Sequence, residues 1–109
     1  RSTVDAGLTL VDKSDKNDAY RTFGNPNAGV FVYESAYSED LKYGDRIVSV
    51  DGSSIASSDV FSSILRQKKP GDTIQIVVER LSKSGVYATL KQVKVTLTLR
   101  APSEETENN

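Results

Sequence analysis

The sequence predicts a small α+β domain, mainly β. Five or six strands form a partly open barrel or sandwich, with one main helix at about 57–68 and one short helix or turn at about 36–43. Three observations carry this reading. Apolar residues alternate or cluster in short runs bounded by Gly, Pro, Asn and Asp, as in strands joined by turns. Only Ser57 to Lys68 combines helical spacing with a start and a stop signal. The 109 residues, 37% hydrophobic and 27% charged, suit one domain that buries roughly two-thirds of its unfolded surface.

Gly7 to Asp12 (GLTLVD) reads as a short strand with Leu8 and Leu10 on one face. Lys13 to Ala28 is polar and long for a structureless connection, which predicts a functional loop or an insertion, with a single helical turn around Tyr20 and Phe23. Gly29 to Glu34 (GVFVYE) is dense in β-branched and aromatic residues and reads as a strand buried on both faces. Ser35 to Tyr43 offers Leu41 to the core and accounts for the short helix or turn. The strand Arg46 to Val50 follows Gly44-Asp45 and ends at Asp51-Gly52, where Gly supplies positive φ and Asp bonds its own backbone.

In the main helix, Ser57 or Ser58 is the expected cap. Asp59 complements the positive end of the dipole, Arg66, Lys68 and Lys69 the negative end, and Pro70-Gly71 stops the run. Phe61 and Leu65 make one apolar row, assigned to the core. Val60, Ile64 and Gln67 make the adjacent row. Thr73 to Arg80 is a strand with Ile74, Ile76 and Val78 inward, and Ser82 to Gly85 is a hairpin loop. The returning strand alternates at Val86, Ala88 and Leu90, then at Val93, Val95, Leu97 and Leu99. The one-residue phase slip between Leu90 and Val93 predicts a β-bulge. Residues 1–100 are expected to form the single domain, and 101–109, with Glu104, Glu105 and Glu107, a disordered acidic tail.

The missing residue types restrict function. There is no Cys and no His, hence no thiolate nucleophile, no zinc site of the usual kind and no imidazole base for a serine. Lys plus Arg, 14, nearly balances Asp plus Glu, 15, so no broad positive field invites nucleic acid. Tyr20, Phe31 and Tyr33 lack the interleaved cations of a base-stacking surface. No apolar run reaches the roughly 18–20 residues that span a bilayer. Asp45, Asp51 and Asp72 lie at turns beside glycine, and Glu39-Asp40 lies near an element end, so a carboxylate pair for glycoside chemistry is the weaker reading. No oxygen-ligand loop of metal-binding spacing occurs. The expectation is a chain without catalysis, cofactor or metal. Arg1 as first residue predicts a piece of something longer.

From Ala28 onward, and in order and spacing over about residues 4–99, the sequence resembles a PDZ domain of the kind attached to bacterial HtrA-type (Do-type, trypsin-like) serine proteases. Gly29-Val30-Phe31-Val32, Leu41-Lys42-Tyr43-Gly44-Asp45-Arg46-Ile47-Val48-Ser49-Val50-Asp51-Gly52 and Pro70-Gly71-Asp72-Thr73-Ile74 carry the resemblance. It implies a PDZ-like fold and recognition of extended or C-terminal hydrophobic peptide segments by β-strand addition, between strand 8–12 and helix 58–68. On that pattern the backbone N–H groups of Ala6, Gly7 and Leu8 hold a terminal carboxylate, and Gly7 permits close backbone approach. Leu8, Thr9 and Leu10 form the receiving strand. Leu8, Leu10, Val60 and Ile64 form the apolar pocket, with Gln67 further along and Ile64 serving either pocket or core. Asp5 places a negative charge beside this loop, and Ser35 to Leu41 lacks the family's Pro and Ala-Gly. The implied partners are peptide or protein C-termini, unfolded segments and a parent protease domain, and the implied setting is the periplasm, cell envelope or cell exterior. The alternatives are a structural docking domain with an occluded groove, or the PDZ domain of another processing or intramembrane protease.

Overall fold

Six antiparallel strands and two helices build the structure, a computed structural model that describes residues 3–102. Most of the expected acidic tail, 103–109, lies outside the described residues. The order is β1 (Leu8–Lys13), α1 (Lys16–Phe23), β2 (Gly29–Ser35), β3 (Arg46–Val50), β4 (Ser53–Ser54), α2 (Ser58–Leu65), β5 (Thr73–Ser84) and β6 (Tyr87–Thr98). The sheet runs β1-β2-β3-β5-β6, with β4 paired to β3. It stays open, but Asp5 and Arg100 exchange two backbone hydrogen bonds, of 2.8 and 3.0 Å, which tie the segment before β1 to the end of β6. The mainly β, PDZ-like α+β architecture is therefore as the sequence predicts.

The core follows the predicted alternation. Val30 and Val32 of β2, Ile47 and Val50 of β3, Ile74, Ile76 and Val78 of β5, and Val95 and Leu97 of β6 pack together with Phe61 and Leu65 of α2. Phe31 points to the opposite face of β2 and is also fully buried. What buries it is α1. Phe23 stacks on Phe31 with ring centroids 4.5 Å apart, and Ala19 is the buried residue of this helix.

The expected loop over 13–28 is thus corrected to two turns of helix. Asp15 caps it, accepting from the Asn17 N–H, and Gly24 ends it at φ +76° with its N–H on the Tyr20 carbonyl. Of the short helix or turn expected at about 36–43, the structure shows turns without a helix. There the Ser35 hydroxyl donates to the Ser38 carbonyl, the Asp40 N–H donates to the Ser38 hydroxyl, and the Asp45 carboxylate takes the Lys42 N–H. Such local side-chain bonds compete with helical ones.

Two polar hubs, one on buried Asp45 and one on half-buried Glu79, hold the connections on either side of β2. Asp45, 1% exposed, receives two hydrogen bonds from Arg80, at 2.9 and 2.8 Å. Glu79 accepts from Arg46 Nε at 2.8 Å, Asn27 at 3.0 Å and Asn25 at 3.2 Å. Burial pushes the Glu79 carboxyl pKa up, but the hydrogen bonds from Arg46, Asn27 and Asn25 outweigh it and hold the group below its ordinary 4.5. The Asp51 carboxylate, expected to bond its own turn, instead ties that turn to β5 by accepting the Gln75 N–H at 2.8 Å, and pairs with Lys68 at 3.0 Å.

The predicted bulge between Leu90 and Val93 is absent. β5 and β6 pair without interruption from Thr73↔Thr98 to Ser84↔Tyr87. The phase slip has another cause: the outer half of this hairpin projects beyond the core and has no inner face to bury. The expected loop at 82–85 moves to Gly85-Val86, with Gly85 at φ +62° in the first central position, as type II′ turns require. Val86 is 91% exposed. The molecule measures 50 × 24 × 23 Å.

Candidate functional site

β1 stands at one end of the sheet order. One edge pairs with β2, and among the described residues no strand pairs with the other. That second edge faces α2 across an open groove of about 250 Å³, lined by Val4, Asp5, Ala6, Leu8, Leu10, Ser58, Phe61, Ser62 and Leu65. Phe61 and Leu65 are shared with the core and form its floor. Ser58 and Ser62, one turn apart, keep the helical wall low and polar. An extended segment laid here would meet unpaired β1 backbone along one side and an apolar floor beneath, the requirements of strand addition.

The predicted residues divide. Ala6, Leu8 and Leu10 line the groove, and Thr9 is exposed between the two leucines. Gly7, at φ +71°, lies beside the lining; a Cβ there would fall 2.7 Å from the Tyr37 ring, so the close approach it permits is to that ring. Val60, Ile64 and Gln67 lie outside the lining. Val60 is 36% exposed, Ile64 packs against the core, and Gln67 lies just past the end of α2, its N–H on the Ile64 carbonyl. The helix presents Ser58, Phe61, Ser62 and Leu65, spaced i, i+3, i+4, i+7. The sequence signal for this face was the serine pair one helical turn apart beside Phe61 and Leu65.

Both ends of the groove are shaped by carboxylates. At one end, Asp5 Oδ1 accepts the Gly7 N–H at 2.9 Å and Oδ2 accepts the Tyr37 hydroxyl at 2.7 Å. Tyr37 is held in turn by the Arg100 guanidinium, 3.9 Å from its ring centroid, and the Gly7 carbonyl accepts from the Ala36 N–H at 2.7 Å. At the other end, Asp12 reaches from β1 to α2, accepting the Ser58 N–H at 2.8 Å and the Ser58 hydroxyl. Ser57 makes no side-chain cap bond, so a strand residue caps this helix. α2 is also shorter than predicted: after Leu65 the N–H groups of Gln67 and Lys68 bond three residues back, tightening the last turn.

An open strand edge, a helix across the groove from it and a glycine loop at the groove end are the features that define one peptide-recognition fold, and the PDZ domain profile matches residues 6–99. The chain belongs to the PDZ domain family. This PDZ domain superposes on a solved structure described as the HtrA-type protease AlgW with a decapeptide, with a TM-score of 0.72 at 19% identity. The match covers 94% of this chain but only 30% of that one, so this PDZ domain spans under a third of the larger protein. No curated protein sequence matches it. Among the described residues no group of three acidic side chains could hold a metal ion, and no helix is long and apolar enough to cross a membrane.

Proposed function

We propose that this PDZ domain binds extended hydrophobic peptide segments by adding them as a strand to β1, and that it regulates or targets an attached HtrA-type serine protease of the bacterial cell envelope or exterior. The observation that carries the reading is the unpaired β1 edge facing α2 over an apolar floor. The resemblance in fold to a protease solved with a decapeptide supports the protease context. No residue of the chain performs chemistry in this scheme. Backbone hydrogen bonds give generic affinity and the Leu8, Leu10, Phe61 and Leu65 surfaces give preference for apolar side chains.

A blocked groove tests this. Ser62 is exposed and lines the helical wall, so Ser62→Trp should leave the melting temperature near wild type while weakening peptide affinity at least about tenfold. Unchanged affinity would contradict the proposal. A second reading, a docking domain with its groove closed, draws on the Asp12–Ser58 clasp. It predicts no binding by wild type and recovery of binding when the clasp is removed.

A further inference from the structure

The loop that would receive a ligand's terminal carboxylate already holds one. Asp5 lines the groove, and its two oxygens are engaged by the Gly7 N–H and the Tyr37 hydroxyl. The arrangement is built rather than incidental: the Asp5 backbone is bonded in both directions to Arg100, Arg100 lies over Tyr37, and Tyr37 packs where a Gly7 side chain would be. A free C-terminus arriving here brings a second negative charge beside Asp5 and finds the Gly7 donor taken. A chain that continues, or ends in an amide, brings no charge and offers an N–H. A carboxylate has about four acceptor sites, so Asp5 can accept that N–H while keeping its two present bonds.

Resting on the peptide-binding reading above, we propose that Asp5 is a specificity-determining residue that makes the groove select internal segments of unfolded chains over free C-termini. Asp5 stands in for the ligand's carboxylate, and the ligand supplies the donor.

The test uses one pool of decapeptides with Val, Leu or Phe at the last and third-from-last positions and the remaining positions randomised. The pool is made as free acids, as C-terminal amides, and as amides extended by Gly-Ser-Gly, and is titrated against wild type and Asp5→Asn. For wild type the amide and extended forms should bind about tenfold more tightly than the acid, a difference of about 1.4 kcal/mol. Asp5→Asn is isosteric and retains an acceptor for the Gly7 N–H, so it should bind the amide nearly as wild type does and lose most of the discrimination. Acid binding equal to or tighter than amide by wild type overturns this inference and leaves the peptide-binding reading standing. Discrimination that persists undiminished in Asp5→Asn also overturns it. Failure of all three forms to bind either protein overturns the peptide-binding reading itself, and this inference with it.

Discussion

Single carboxylates in this chain do structural work that depends on their ionisation. Glu79 is the clearest case, because three donors from β3 and the turn before β2 converge on its Oε1. Its folded-state pKa lies below the ordinary 4.5. The stabilisation is therefore fully present at neutral pH and disappears as pH falls through and below that value. Denaturant midpoints measured from about pH 6 down to about pH 3 should fall for wild type and fall less steeply for Glu79→Gln. Identical slopes for the two proteins would remove Glu79 from the account. At the other end of the molecule Asp5 holds a loop in which Gly7 is required twice, by its positive φ and by the Tyr37 ring against it. The sequence made Asp5 visible as a charge beside the loop. It did not show which groups Asp5 satisfies, because Tyr37 lies 32 residues away along the chain.

Elements in this fold are completed by residues from other elements, and this is where sequence reading lost resolution. α2 was legible from its apolar spacing and its Pro-Gly stop, but its cap was not, since the acceptor is Asp12 on β1. Asp12→Ala should cost about 0.5–2 kcal/mol of stability. It should also speed amide exchange in the first turn of α2; if Ser57 takes over the cap, both effects vanish. The face of α2 turned to the groove was equally hidden. Val60-Phe61 and Ile64-Leu65 form two adjacent apolar rows, and only the packing of Phe61 and Leu65 against β-strand side chains shows that Ser58 and Ser62, not Val60 and Ile64, flank the opening. α1 had readable signals in Asp15, Gly24 and Pro26. Its few apolar residues, Ala19, Tyr20 and Phe23, hid the fact that Phe23 stacks on Phe31 of β2.

At the scale of the whole molecule, the strand pattern and the mainly β architecture were legible because most strands bury one face and polar residues mark the turns. The exception is informative. The β5–β6 hairpin extends past the core, where alternation no longer reports an inside, and a phase slip there mimics a bulge. The domain that results places the open edge of β1 beside α2, with Asp5 lining one end of the groove and the Asp12–Ser58 clasp linking strand to helix at the other. Its absence of His and Cys suits a groove that recognises backbone and apolar surface. The most direct test of that account is a titration of the isotope-labelled domain with the amidated decapeptide pool, followed by amide chemical shifts. The account predicts the largest changes at Leu8, Thr9 and Leu10 of β1 and at Ser58, Phe61, Ser62 and Leu65 of α2. Changes centred on the exposed Tyr33 and Tyr43 face or on the Val86 hairpin tip, with β1 unmoved, would contradict it.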